Sequence, residues 1–384
     1  MSTPAAKRDY RPFFWEEFTQ AQLTEAGGGA VPAWAERGLR ALRDGLGREP
    51  GEVPAMRRLH RVELTDAQRS SWQLTGSYKA EHVALTLFGL HQTADGRSAH
   101  RPGTGLGTAV RALTERTLSR KAAERRLQAA ASAQDVEELA QHLRGLVPLL
   151  QHADIGLDYT LLYRNLTAWQ TPDNGKVLRA WGLQYTDPAA DPGYQAPVDG
   201  EFMDGPPYWS TVDLDDRDTS ARLEALRSGA GREAGTVPAM WALYRTRIST
   251  SARTQGAPNR RLAAEHTALT VYGVHQQGRE TGVHAPGLTP GDACRLLLAR
   301  DSGADRTAIE RRFGALLTSL DAGELAQHLR GLVPLLRRAH IGLDYDAVHQ
   351  ALLAWDDPRN PDAQSRVRNA WDRDFRTDTT TRQP

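Results

Sequence analysis

Apolar residues recur along this chain with the spacing of α-helices. In one segment they fall at i, i+4, i+7, i+8 and i+11, which places a single set on one helical face: Leu139, Leu143, Leu146, Val147 and Leu150. Gly145 and Pro148 lie among them and predict a kink or an early end, because proline cannot donate a backbone hydrogen bond. The pattern predicts an amphipathic helix.

Neighbouring segments show the same period. Asp158 is a candidate N-cap for a helix that carries Leu162, Leu166 and Trp169. A later segment steps by four residues through Val177, Trp181 and Tyr185, and an earlier one carries Ala84, Leu85, Phe88 and His91. No segment shows sustained alternation with period two. The predicted fold class is therefore all-α.

The pattern is present twice. Glu138–Leu150 recurs unchanged as Glu324–Leu336, and Ile155–Tyr159 recurs as Ile341–Tyr345 at the same offset. Val53–Met56 recurs as Val237–Met240 at nearly that offset. A period of almost half the chain is far too long for a solenoid repeat, so the sequence predicts two homologous helical-bundle domains in tandem.

A segment without periodicity separates the two copies. It is rich in proline, glycine and aspartate, a composition typical of a linker. We expect a first domain over 1–186, a linker over 187–207, a second domain over 208–376 and a flexible tail over 377–384.

Composition limits the compartment and the class of protein. Of 384 residues 40% are hydrophobic and 25% charged, which is ordinary for a soluble globular protein. No apolar run approaches the roughly 20 residues that cross a bilayer, and the first residues lack the order of a signal peptide. Cys294 is the only cysteine, so an intrachain disulfide is excluded. We expect a cytoplasmic protein without membrane contact.

Candidate catalytic and cofactor sites are weak in this sequence. His82 and His91, like His266 and His275, are nine residues apart, whereas helical zinc sites favour spacings of three or four. Cys294 has no cysteine counterpart in the first copy. We therefore predict neither a metal, nor a cofactor, nor enzymatic activity.

Glycines and tryptophans have structural interpretations. Gly103, Gly105 and Gly107 resemble a phosphate-binding loop, but no strand precedes them, and a loop that starts a helix explains them better. The tryptophans at positions 169, 181, 355 and 371 lie on apolar helical faces, which predicts core packing rather than base stacking.

Basic residues cluster at one position in both copies. The net charge is only +1, so a protein that binds nucleic acid here must use a local basic stripe. The first copy carries Arg120, Lys121, Arg125 and Arg126, and the second carries Arg306, Arg311 and Arg312. Arg144 and Arg330 then occupy identical positions in the duplicated helix. Solvated helix faces explain many such runs, but the repetition favours phosphate binding.

Five short motifs occur in the same order in each half of the chain. They are E-R-R-[LF], H-L-R-G-L-V-x-L-L, G-L-D-Y, A-W and V-x-x-x-W-x-x-x-[YF]. This order resembles CasB, the small subunit of the type I-E CRISPR complex Cascade. The resemblance covers nearly all of each half. It departs from the family in one respect, because CasB proteins are normally single domains and this chain is a tandem.

The resemblance implies a helical, non-catalytic subunit that works as two head-to-tail copies. Its partners would be the large subunit and the crRNA-bearing backbone of Cascade, with crRNA and the displaced strand of the target DNA bound by basic surface. Opening the target is a near-balanced strand exchange, so modest contacts can stabilise the R-loop. The matching basic residues here are Arg125, Arg126, Arg144, Arg311, Arg312 and Arg330, with Lys79 and the Arg260–Arg261 pair near a further basic position.

Besides an uncharacterised hydrolase, which no catalytic motif supports, the sequence leaves two hypotheses of function open. The first is a nucleic-acid-binding subunit of Cascade in which the tandem copies act as an intrachain pair. The alternative is a helical adaptor that binds only protein partners, with its arginines serving as solvated surface.

Overall fold

The chain folds as two compact units, Met1–Pro192 and Gly193–Pro384. The computed structural model describes residues 11–24, 31, 33–71, 74–93, 97–116, 120–186, 202–203, 205–247, 259–300, 306–355 and 357–377. Both units are built from α-helices, which confirms the predicted fold class and the tandem of helical domains.

The first unit contains nine helices in its described part. Their bounds are α1 Phe14–Thr24, α2 Ala33–Asp44, α3 Asp66–Ser71, α4 Gly76–His91, α5 Leu106–Arg116, α6 Arg120–Ala131, α7 Val136–His152, α8 Tyr159–Trp169 and α9 Asn174–Tyr185, with a 3₁₀ turn at Pro54–Arg58. Helix α4 packs against α2, α7 and α8, and α5 packs against α6 and α9. The core of the unit therefore lies around α4.

Local capping explains where the central helices begin. Asp135 precedes α7 and its carboxylate accepts a hydrogen bond from the Glu138 amide at 2.8 Å, and Asp158 does the same for the Leu161 amide at 2.9 Å. The five apolar residues of the α7 face are all fully buried. The helix does not end early at Pro148 but continues to His152.

The second unit repeats this arrangement. Its helices are α10 Tyr208–Thr211, α11 Thr219–Ser228, α12 Arg260–Gln276, α13 Pro290–Arg300, α14 Arg306–Thr318, α15 Ala322–Arg338, α16 Tyr345–Trp355 and α17 Asp362–Arg376, with a 3₁₀ turn at Pro238–Leu243. Helix α12 packs against α11, α15 and α16, as α4 does against its counterparts in the first unit. Asp321 caps α15 through the Glu324 amide at 2.8 Å.

The duplication extends to backbone strain. Asp154 and His340 follow α7 and α15 and adopt left-handed φ angles of 52° and 56°, which non-glycine residues rarely adopt. The amide of the next residue then returns to the helix, from Ile155 to the Leu150 carbonyl and from Ile341 to the Leu336 carbonyl. The two units thus end this helix in the same way.

A two-stranded antiparallel ladder belongs to the second unit. Strand β1, Phe202–Met203, pairs with β2, Thr246–Arg247. Residues 187–201 of the predicted linker, and 378–384 of the predicted tail, lie outside the described residues. None of the helices in the described parts of the chain is long and apolar enough to cross a lipid bilayer.

Candidate nucleic-acid interface

The predicted stripe forms two exposed helical surfaces, which we call the basic faces. In the first unit Arg125 and Arg126 are exposed on α6, while Ala123, Leu127 and Ala130 of the same helix are buried. Within the described residues, the Arg126 guanidinium donates to the Ala122 carbonyl of its own helix, at 3.4 Å, and to no other acceptor. Burial of one side of α6 therefore holds these side chains toward solvent.

The second basic face has the same construction. Arg311 and Arg312 are exposed on α14, and Ile309, Phe313 and Leu316 anchor that helix in the core. Among the described residues no acidic side chain forms an ion pair with Arg125, Arg126, Arg311 or Arg312. Each face therefore offers two guanidinium groups for an external anion.

Other predicted residues of the stripe differ from these four. Arg306 forms an ion pair with Glu310 at 3.2 Å. Lys121 is exposed but already interacts with a neighbouring group. The side chain of Arg120 lies outside the described residues. Arg306 and Lys121 therefore add less free cationic surface than the sequence predicted.

Arg144 of α7 lies beside residues of α4, and Arg330 of α15 lies near His266 of α12. Both side chains are half-buried, and neither forms an ion pair with a described residue. Partial burial lowers the pKa of the Arg330 guanidinium. Gly47, with a φ of 77°, lies close enough that a Cβ there would stand 3.3 Å from Nη1 of Arg144. A half-buried cation without a carboxylate partner is a second candidate anion contact in each unit.

A small cleft of about 160 Å³ brings Lys79 and Arg144 together. Lys79 is already paired with Glu137, at 3.2 Å, and both side chains are substantially exposed. Arg48, which the charge pattern of the sequence did not identify, lines the same cleft. A repeated motif could have identified it, since Gly45-Leu-Gly-Arg-Glu49 recurs as Gly229-Ala-Gly-Arg-Glu233 and places Arg232 in the second unit.

The predicted Arg260–Arg261 pair is engaged within the second unit. Arg260 donates to the Leu353 carbonyl at 2.6 Å and pairs with Asp357 at 3.2 Å. Arg261 is half-buried and also has an interaction partner. Arg260 therefore ties α12 to the end of α16, which gives it a structural role in this fold.

The histidines of α4 and α12 belong to the core. His91 Nδ1 lies 3.0 Å from the Tyr159 hydroxyl, and His275 Nδ1 lies 2.9 Å from the Tyr345 hydroxyl. Burial lowers the pKa of both imidazoles to about 4, so they are neutral at pH 7. His82 and His266 bind the backbone carbonyls of Arg48 and Arg232 through Nε2, at 3.1 and 3.0 Å.

One group of described residues has the composition of a metal site. It comprises His284, Asp344 and Asp346, whose candidate ligand atoms lie within 4.8 Å of one another. Asp344 accepts from the Gly287 and Ala347 amides at 2.7 and 3.0 Å, and Asp346 accepts from Trp209 Nε1 at 3.0 Å. Helix capping and anchoring of the indole explain these carboxylates without an ion.

The glycine loop and the cysteine also have structural explanations. Helix α5 begins at Leu106, as the loop interpretation predicted, and the Gly103 amide donates to Asp158 Oδ2 at 2.7 Å. A Cβ on Gly107 would overlap the Trp181 carbonyl, so this glycine permits close packing of α5 on α9. Burial raises the pKa of the Cys294 thiol to about 12, which removes it as a nucleophile at neutral pH.

A model of the family described as CRISPR-associated protein Cse2 matches residues 39–185 and 222–375. The two matches together span more than half of the chain, with one in each unit. The chain belongs to the Cse2 family. As a Cse2 protein it is a subunit of CRISPR Cascade and associates with other Cascade subunits.

One similar protein has a solved structure, CasB from Thermobifida fusca. It is 32% identical to this chain, the match covers 43% of this chain and 88% of that chain, and the TM-score is 0.33. None of the curated proteins compared matches the chain.

Proposed function

We propose that this Cse2 protein is a non-catalytic, cytoplasmic small subunit of a type I-E Cascade that holds crRNA and target DNA through its basic faces. The contacts would stabilise the R-loop by retaining the displaced strand. One observation carries the proposal: two exposed arginines recur at the same place on corresponding helices, Arg125–Arg126 and Arg311–Arg312.

Electrostatics supports this use of the basic faces. The chain as a whole is almost neutral, so bulk attraction contributes little to nucleic-acid binding. Guanidinium groups held on an ordered helix can contact successive phosphates, and each contact releases counterions from the nucleic acid. Arg144 and Arg330 would add one phosphate contact in each unit, because each is a half-buried cation that forms no ion pair with a described carboxylate.

The experiment replaces all four arginines of the basic faces with alanine. Binding of single-stranded DNA to the reconstituted complex is measured across a series of salt concentrations. We expect weaker binding for every sequence tested, and a salt slope smaller by about 0.7 to 1 for each lost contact.

A matched control removes the same charge elsewhere. The substituted residues are exposed arginines that already contact a described polar side chain: Arg97, Arg222, Arg366 and Arg376. This quadruple variant should keep the parental slope. If the variant of the basic faces folds and also keeps that slope, these arginines do not bind phosphate.

The adaptor hypothesis remains the second candidate function. Ion pairs at Lys79, Arg260 and Arg306 favour it, because these predicted basic residues are neutralised within the fold. If the protein is an adaptor, it should join the complex normally. A complex assembled without it should then bind DNA with unchanged affinity.

We also propose that the tandem supplies both copies of the small subunit within one chain. The two family matches, one per unit, support this interpretation. Tethering raises the effective concentration of the second copy for its neighbour.

A further inference from the structure

The first unit has an open cleft beside its 3₁₀ turn that the proposed function does not use. Its volume is about 630 Å³. Among the described residues, Arg11, Arg57 and Arg58 line it against one acidic side chain, that of Glu63. The cleft is therefore cationic inside a protein that is almost neutral overall.

The second unit places aromatic side chains at the matching positions. Trp241 stands where the first unit has Arg57, and Tyr244 stands where it has His60. Trp241 is buried, with its indole Nε1 bonded to the Gly235 carbonyl at 2.8 Å, and Tyr244 is buried as well. Arg57 by contrast is exposed. The duplicated domains have thus diverged at this place.

Hydrogen bonding shows what the first unit lacks there. The Tyr244 hydroxyl lies 2.7 Å from His266 Nδ1. In the first unit His60 Nδ1 faces the Met56 carbonyl at 3.0 Å, and His82 Nε2 faces the Arg48 carbonyl at 3.1 Å. Facing carbonyls, these two nitrogens must donate, and each ring's other nitrogen is then an acceptor.

Both acceptors, His60 Nε2 and His82 Nδ1, are buried without a partner among the described residues. His60 is 4% exposed and forms part of the cleft wall. A buried acceptor without a donor is unfavourable, and the second unit avoids the cost with its tyrosine hydroxyl. The first unit leaves both acceptors without a donor among the described residues, so the two units differ at this place in hydrogen bonding as well as in side-chain size.

The lining favours a peptide over a nucleic acid. Pro50, Val62 and Leu74 add aliphatic surface, which suits apolar side chains. The rings of Tyr78 and His60 are stacked on each other at 4.3 Å and are almost fully buried, so neither presents a face on which a base could stack. Carboxylates of such a peptide fit the three arginines of the lining, because a guanidinium fork can bind both carboxylate oxygens.

We propose that this cleft binds an extended acidic peptide segment, with interspersed aliphatic side chains, from a partner protein of the complex. The contact would be confined to the first unit. Tandem copies that share one fold would then make different protein contacts. The inference concerns a protein partner, so it is independent of the phosphate contacts of the basic faces.

Site-specific photo-crosslinking in the reconstituted Cascade tests the proposal. The probe is p-benzoylphenylalanine in place of Glu63, which is exposed at the cleft. A control carries the probe in place of Ala242, which is exposed on the corresponding 3₁₀ turn of the second unit. We expect the Glu63 probe to crosslink to an acidic and aliphatic segment of one partner subunit, with at least tenfold higher yield than the control.

Two variants then examine the cleft itself. R57W with H60Y gives the first unit the side chains of the second and should abolish the crosslink. R57Q with R58Q removes two exposed charges without filling the cleft, so it keeps the fold and should lower the yield at least tenfold. A crosslink to nucleic acid, no crosslink to any protein, or a yield unchanged in R57Q with R58Q would each overturn the proposal.

Discussion

Trp169 and Trp355 should be core side chains on which the stability of each unit strongly depends. They are 5% and 4% exposed, and their indole Nε1 atoms donate to the Ala133 and Ser319 carbonyls at 3.2 and 3.1 Å. A buried tryptophan removes about 200 Å² from water, which at about 25 cal/mol per Å² is an upper estimate of about 5 kcal/mol. Truncation to alanine should cost about 3 to 5 kcal/mol, including the cavity that remains.

Urea denaturation followed by far-ultraviolet circular dichroism measures this loss, and hydrogen exchange assigns it to one unit. With a slope of about 2 to 3 kcal/mol per molar, the urea midpoint of the affected unit should fall by about 1 to 2.5 M. Trp169→Phe should cost less, because it keeps most of the apolar area. Trp34→Ala is the control, since Trp34 is 42% exposed and should cost below about 1 kcal/mol. Parental midpoints for both buried variants would refute the core assignment and reopen base stacking.

Further predictions concern close packing and stoichiometry. Gly107→Ala and Gly291→Ala should each destabilise their unit by about 1 to 3 kcal/mol, because the added Cβ overlaps the Trp181 or Trp371 carbonyl. Thermal melting measures these losses, with Gly145→Ala as the control. Nothing lies within 4 Å of the Cβ added at Gly145, so this variant should be more stable by about 0.5 to 1 kcal/mol. Equal changes in stability for all three variants would contradict the packing argument. Native mass spectrometry of the complex should find one copy of this chain, and two copies would exclude the built-in pair.

The sequence predicted features that depend on local pattern. Helix α7 follows from the spacing of its leucines. Asp158, predicted as the N-cap of the next helix, caps α8 by accepting a hydrogen bond from the Leu161 amide three residues on. The recurrence of Glu138–Leu150 as Glu324–Leu336 revealed the tandem directly. The predicted boundaries at 186 and 208 remain predictions.

Only the tertiary structure shows which arginines are free to bind an external anion and which are paired within the fold. Arg260 and Arg125 are both arginines of predicted basic segments, yet Arg260 is paired with Asp357, far along the chain, and Arg125 is exposed. Likewise, the sequence shows that His60 and Tyr244 occupy matching positions. Only the fold shows that Tyr244 bonds to His266, whereas His60 and His82 each keep a buried nitrogen without a described partner. Helical periodicity and caps are encoded within a few residues, whereas ion pairs, burial and unsatisfied acceptors depend on which distant segments the fold brings together.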